Sequence, residues 1–456
     1  MADFNEVQVR SFAEHWFKAV IQDESAGLKR SHEFLNQLFL ETNIAIRDLA
    51  ITPILLSLTC AVFHQTGKFY SKRSKLYEEG LELLLEQWDK SREIERDEIY
   101  RDLSLERKLE LLSYLAVKKF EQPQYVLFEQ EEIEGYIAEF LGIERRNSRA
   151  VLRAIESQHG LLLERSQKIW SFSHLTFQEY LAAKYFCKQK DWNSLSKQIT
   201  KKYWREVFLL IMETSPNADL LLKLMIRNIC SIVTYDDKIQ KFLEWLNNKS
   251  TSVKASYKSA AIRSFYFSLE LCFYFKFEID GDLMYCHLCH SLDSRIPHYL
   301  TIDLEADLVQ HLMNLEKPLF FDLLLGVGTN YIFAYTLDSE LAPELREILR
   351  NTCLPSRYKA TYERRAKGIY NPGYKFLWGS TNKIIHIVNK YCNICHDWGF
   401  DVEQKEKLEK YYNVNTLLVD CLNSSCVSSD DLREEIEEIL LLPIAELEKR
   451  KRATSE

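Results

Sequence analysis

Glycine and proline are scarce, 13 and 9 in 456 residues. Sheet-rich and loop-rich folds need many more of both for turns, bulges and breaks, so long helices are the default expectation. Long apolar runs are missing too. None approaches the roughly 20 residues that span a bilayer, so no membrane span is expected. Positive charge is in deficit: the formal net charge is -8. Binding to a polyanion by counterion release needs Lys and Arg in excess, so nucleic acid is not the leading partner. The dense basic cluster Lys449-Arg450-Lys451-Arg452 closes a helical pattern, where cations complement the helix dipole and are solvated. No apolar leader follows Met1-Ala2-Asp3-Phe4, and the 11 cysteines are odd in number within a long chain. Reduced thiols and a cytoplasmic location are therefore expected. With 28% charged and 46% hydrophobic residues, the chain has the composition of an ordinary globular protein of several domains.

What is present is mostly helical periodicity. Val9, Phe12, Ala13, Trp16, Phe17 and Val20 recur at three- and four-residue steps and define one stripe. Ile44 to Phe63 reads as a helix pair broken at Pro53 and stopped at Gly67. Tyr77, Leu81, Leu84, Leu85 and Trp88 mark a third helix, and the charged stretch Asp89 to Asp102 reads as a connection. Leu105–Phe120, Glu131–Leu141 and Ala150–Gln158 read as three more helices. The period then changes. Residues 161–165 and 169–172 flank the polar turn Ser166-Gln167-Lys168, so a β-hairpin is expected near 161–172. Three helices and a hairpin suggest a winged helix.

Thr176-Phe177-Gln178-Glu179 has the spacing of a capping box, so a helix is expected from near residue 175 to about Lys188. Helical patterns continue over Trp204–Met212 and Asp219–Ile229 and on to Trp245. The polar run Asn247 to Ser252 reads as a linker, which puts a domain boundary near 250. Beyond it the pattern stays helical, with breaks around 353–373. The expected fold is mainly α: a multi-helical array with a winged-helix subdomain and a C-terminal helical domain.

Four stretches, TPILLSLTCAVF (52–63), LYEEGLELLLEQWD (76–89), ESQHGLLLERSQKIWSFSHLTFQEYLAAKYF (156–186) and WREVFLLIMETSPNADLLLKLM (204–225), resemble NACHT proteins of the STAND class, especially bacterial ones. Further on, AAIRSFYFSLEL (260–271), CHDWGF (395–400) and residues 411–443 resemble the Cys- and His-containing helical domain that follows some NACHT modules. The resemblance implies four parts. Residues 1–90 would be the end of the NACHT module with helical domain 1, and 91–190 the winged helix. Residues 191–250 would be helical domain 2, and 251–456 the C-terminal domain.

The departures from the family matter as much. A complete NACHT ATPase carries a Gly-x-x-x-x-Gly-Lys-Ser/Thr phosphate loop after a strand, and a later strand ending in acids that hold magnesium. Neither is found in this sequence. Gly67-Lys68 follows a helix and has Val62 in place of the first glycine, and Leu417 to Asp420 lies in a helical pattern. No catalytic residue is expected, so the chain reads as non-enzymatic by itself. The resemblance does imply two nucleotide contacts: Pro53 against adenine, and His174 on the β-phosphate of ADP. Each has a plainer alternative, a first-turn proline and a core histidine. ADP or ATP would bind only together with a nucleotide-binding domain, and ADP would hold that domain against the winged helix until exchange for ATP.

Cys286-x-x-Cys289-His290 and Cys392-x-x-Cys395-His396 invite readings as covalent haem or zinc sites. The same spacing also places small residues on one buried helix face. Cys421, Cys426 and His396 best match the downstream family domain and are the candidate metal ligands there. The expected function is the regulatory and sensing portion of a STAND signalling ATPase, of the stress or antiphage kind. It would be a truncated gene product or the partner of a separately encoded nucleotide domain. Its expected partners are a NACHT nucleotide-binding domain or homologous subunits, and a sensed ligand that the sequence does not identify. The alternatives are a zinc-binding helical interaction module and a free-standing helical scaffold.

Overall fold

The computed structural model describes residues 4–70, 72–91, 98–252, 257–275, 283–285, 287–294, 299–301, 396–424 and 429–455. They form two compact units. One is Met1–Leu221 with Ser424–Val427, the other Leu222–Asn423 with Ser428–Glu456. No helix among the described residues is long and apolar enough to cross a membrane.

The first unit starts with α1 (Glu6–Ile21) and α2 (Glu24–Leu38). Asn5 and Gln8 cap the start of α1 reciprocally at 3.0 and 2.9 Å. The turn between the helices is minimal: Gln22 takes the left-handed conformation, and Asp23 accepts the Ala26 N–H at 2.8 Å to start α2. Such a tight hairpin presses the helices together. A Cβ on Gly27 would lie 2.7 Å from the Lys18 Cα, so only glycine fits there. Next come α3 (Ile44–Leu49) and α4 (Pro53–Thr66), and Gly67 ends α4 at φ +74°. Phe17, Phe34 and Phe63 pack tilted or edge-on in the core of these four helices, with centroids 5.4 to 6.4 Å apart.

α5 (Arg73–Ser91) crosses α4 at Gly80, where a Cβ would meet the Leu58 side chain at 2.5 Å. The stretch read as a connection contains a helical turn, α6 (Glu98–Arg101), which buries Tyr100. The winged helix follows: α7 (Leu105–Phe120), β1 (Phe128–Glu129), α8 (Gln130–Leu141), α9 (Arg145–His159), β2 (Leu162–Ser166) and β3 (Ile169–Phe172). The expected hairpin is present, and β1 adds a third antiparallel strand in the order β1-β3-β2, with Phe128 opposite Trp170 and Leu162 opposite Phe172. Each of these four side chains is buried, which pins the register.

Helix α10 (Leu175–Gln189) leaves the hairpin directly, and α11 (Trp192–Ser196) and α12 (Arg205–Thr214) complete the first unit. α10 packs on α7 and α12 through Phe177, Leu181, Ala182, Ala183 and Phe186. The buried Trp204 ring sits edge-on to Phe120 and Phe186.

α13 (Asp219–Val233) leads into α14 (Asp237–Ser252) in the second unit. The polar run Asn247 to Ser252, read as a linker, is the end of α14. Ser250, Thr251 and Ser252 each donate their hydroxyl to the carbonyl three residues back, and the Lys249 ammonium lies 4.9 Å over the Tyr266 ring. The polar groups are thus satisfied inside a helix. The unit continues with α15 (Ser259–Phe275), β4 (Leu283–Tyr285), α16 (His287–Leu292) and β5 (Tyr299–Thr301). It ends with α17 (Val402–Asn423), α18 (Asp430–Ile439) and α19 (Ile444–Ser455). The antiparallel β4–β5 pair corrects the expectation of helix throughout. The breaks expected around 353–373 lie outside the described residues.

The α1–α2 approach gives a first prediction. Gly27→Ala should destabilise the first unit by about 1–3 kcal/mol, because the new methyl meets backbone that cannot rotate away. Urea unfolding followed by far-UV circular dichroism measures this. An unchanged midpoint would show that the helix pair yields freely.

Candidate functional site

The β3–α10 junction places His174. β3 ends at Phe172, and His174, in extended conformation, is the N-cap of α10: its Nδ1 accepts the Thr176 N–H at 3.2 Å. This corrects the capping box expected on Thr176 and Glu179. The imidazole, not the threonine hydroxyl, caps the helix, and Thr176 lies inside the first turn. Because Nδ1 is an acceptor here, the neutral ring carries its proton on Nε2. Burial, and then the neighbouring Arg165 guanidinium, lower the His174 pKa, which favours that neutral form. Arg165 is itself fixed by donating to the carbonyls of Phe172 and Ser173 at 3.1 and 2.8 Å. A half-buried N–H donor, a helix N-terminus and a guanidinium thus converge, an arrangement that suits an anion.

Pro53 is the first residue of α4, where its missing N–H leaves no helical hydrogen bond unmade. The ring is half-buried.

A second constellation of the first unit had no sequence signature. Arg73, at the start of α5, donates to two carboxylates of α12: Glu206 at 3.1 Å and Glu213 at 3.2 Å. The other Glu213 oxygen accepts the Ser74 N–H at 3.0 Å, and the Glu213 carbonyl accepts from the Lys72 ammonium at 3.0 Å. Glu179 of α10 is enclosed beside this network. Burial, and then the Glu206 charge, push its pKa up to about 7, with Arg73 opposing. One signal was available in the sequence: Glu179 falls on the stripe of Ala182, Ala183 and Phe186, which is buried.

Of the metal candidates in the second unit, His396 packs its ring edge-on against Trp245 and Trp398 at 5.4 and 5.3 Å, and its backbone N–H donates to the buried Glu270 carboxylate at 3.3 Å. Cys421 is buried in α17, one residue after Asp420, whose carboxylate meets His287 Nε2 at 2.9 Å. Cys289 is buried in α16. Cys286, Cys392, Cys395 and Cys426 lie outside the described residues. Among the described residues no three His, Cys, Asp or Glu side chains form a group that could hold a metal ion.

Glu179 carries a pH prediction. Its folded pKa lies above the unfolded carboxylate value, so the native state binds more protons between about pH 4.5 and 7, and its contribution to stability falls as pH rises through that window. Glu179→Gln should therefore gain on the wild type by roughly 2 kcal/mol between pH 5 and pH 8. Denaturant midpoints at the two pH values test this, and equal differences would mean that the carboxyl titrates normally.

Two matches to protein families follow the same division of the chain. Residues 73–186, from α5 to the Phe186 turn of α10, match the winged helix-turn-helix domain C-terminal to NACHT, and residues 378–443 match the NACHT C-terminal helical domain 2. No curated protein and no solved structure matches the chain significantly.

Proposed function

Because the chain carries domains of the C-terminal portion of NACHT proteins, we propose that it is the regulatory and sensing portion of a NACHT-type STAND signalling ATPase, a nucleotide-dependent switch. In this reading a NACHT nucleotide-binding domain, or a homologous subunit that carries one, binds the nucleotide. His174 donates its Nε2–H to the β-phosphate of ADP, and Pro53 packs against adenine. The chain contributes no catalytic group and takes ADP or ATP only together with that domain. Exchange for ATP releases the winged helix. Moving such an equilibrium from 1:99 to 99:1 takes about 5.5 kcal/mol of discrimination between the two states. Stress or antiphage signalling is the setting that the family suggests for the switch, with a sensed ligand acting on the release.

The observation that carries the reading is the state of His174. Inside the matched winged-helix segment, its Nδ1 is committed to the Thr176 N–H, and Nε2 has no hydrogen-bond partner among the described residues. A histidine held neutral, with its remaining N–H unused at a helix start, is suited to an oxyanion.

Titration calorimetry of ADP into the full chain mixed with a NACHT nucleotide-binding domain tests the proposal. The mixture should bind ADP more tightly than the domain alone, and His174→Ala should weaken that gain about ten-fold, the value of one hydrogen bond to a charged group. The latch reading fails if the chain adds nothing to the domain's affinity, or if the histidine substitution leaves the gain intact in a protein with unchanged circular dichroism.

A further inference from the structure

Arg165 is the extra residue of a β-bulge. Glu164 pairs with Trp170 and Ser166 with Ile169, so partners that are adjacent on β3 are two positions apart on β2, with Arg165 between them. Its side chain runs back along β3: Nε donates to the Ser171 hydroxyl at 2.8 Å, and Nη2 to the Phe172 and Ser173 carbonyls at 3.1 and 2.8 Å. Two features of this guanidinium restrict what it can be for.

The first is its charge balance. The exposed arginines of the neighbouring α9 have glutamate partners: Arg149 meets Glu134 at 2.8 Å, and Arg153 meets Glu156 and Glu164 at 2.9 and 2.8 Å. Arg165 meets only neutral acceptors among the described residues. Glu164, its neighbour in sequence, is spent on Arg153 and on the Lys168 N–H, both at 2.8 Å. Three hydrogen bonds thus hold a positive charge in place and leave it without a counter-charge.

The second is position. With Nε and Nη2 committed, Nη1 makes no hydrogen bond among the described residues. The charge acts on His174, whose Nε2–H is unused as well. Two donors, one of them fully charged, are therefore held side by side where β3 meets α10. A cation would add to the charge already there, whereas an oxyanion would satisfy both donors.

We propose that Arg165 is a second phosphate-binding group beside His174, and that its charge gives the closed state a preference for ADP over ATP. The inference rests on the nucleotide reading above. The β-phosphate of ADP is terminal and carries about two negative charges at neutral pH, whereas that of ATP is bridged on both sides and carries about one. A fixed guanidinium beside it stabilises ADP more, which supplies part of the discrimination that the switch requires.

Calorimetric titration of ADP and of ATP into the full chain mixed with a NACHT nucleotide-binding domain, in about 0.15 M salt, tests this, with the domain alone as the baseline. Arg165→Gln should cut the gain for ADP about ten-fold and the gain for ATP no more than about three-fold. Lys168→Gln removes the same charge from an exposed position at the other end of β3 and should leave both gains unchanged. Should Arg165→Gln misfold by circular dichroism, Arg165→Met, which keeps the packing of the stem, takes its place. A role confined to supporting the Phe172 and Ser173 carbonyls would lower both gains alike, and that outcome overturns the proposal. So do wild-type gains in the Arg165 variant when His174→Ala loses them, a result that leaves the nucleotide reading standing. No gain with the unsubstituted chain would overturn both.

Discussion

Arg73 is the side chain on which the arrangement of the first unit turns. It reaches from the start of α5 to Glu206 and Glu213, which are seven residues apart on α12 and therefore share a face. Lys72 and Ser74 fasten onto Glu213 beside it, so three consecutive residues of α5 and its lead-in meet one glutamate about 140 positions away. The pair contributes little net stability, because removing charges from water offsets most of the attraction. The apolar face of α10 and the Trp204 cluster hold the helices together. What the guanidinium sets is position: it brings α12 to the start of α5 in one register, and Glu179 and Tyr180 on α10 are enclosed as a consequence.

α10 then presents two different settings along one helix. At its start, His174 sits with the positive end of the helix dipole and with Arg165, where negative charge is favoured. Six residues on, about 9 Å along the axis, Tyr180 is buried against α5, with its ring 5.7 Å from that of Tyr77. Glu179 stands between His174 and Tyr180, in surroundings that push its carboxyl pKa up to about 7.

The helices and the wing were legible because their signals are local. The stripe Val9, Ala13, Phe17 is the buried face of α1, and the polar turn at Ser166 to Lys168 is the hairpin bend. Elements without local signals were missed. α2 has a glycine near its start and a polar first half, and its apolar residues Phe34, Leu35 and Leu38 bunch at its end. β1 is only two residues long and exists because Phe128 finds Trp170. The Thr176 to Glu179 spacing misled, since the preceding histidine supplies the cap and Glu179 turns toward the core. Of the candidate site, His174 was legible through resemblance. The Arg73 network was not, because its partners are 133 to 140 residues apart and no periodicity records that distance.

The second unit handles buried charge differently. Arg263, 2% exposed, donates to the carbonyls of Leu440 and Glu438 at the end of α18, at 2.8 and 2.7 Å. Burial, and then Arg450, lower its pKa to about 10, so it stays charged at neutral pH and acts as a fixed positive cap on the negative end of that helix. Glu270, 1% exposed, accepts the Trp398 indole N–H at 3.1 Å and the His396 backbone N–H at 3.3 Å. Both charges lie on α15, and each is met by dipoles of segments far along the chain. A dipole partner, unlike an opposite charge, requires one direction of approach. This arrangement therefore orients α18 and the 396–398 segment on α15, where the His396 ring also packs against Trp245 and Trp398.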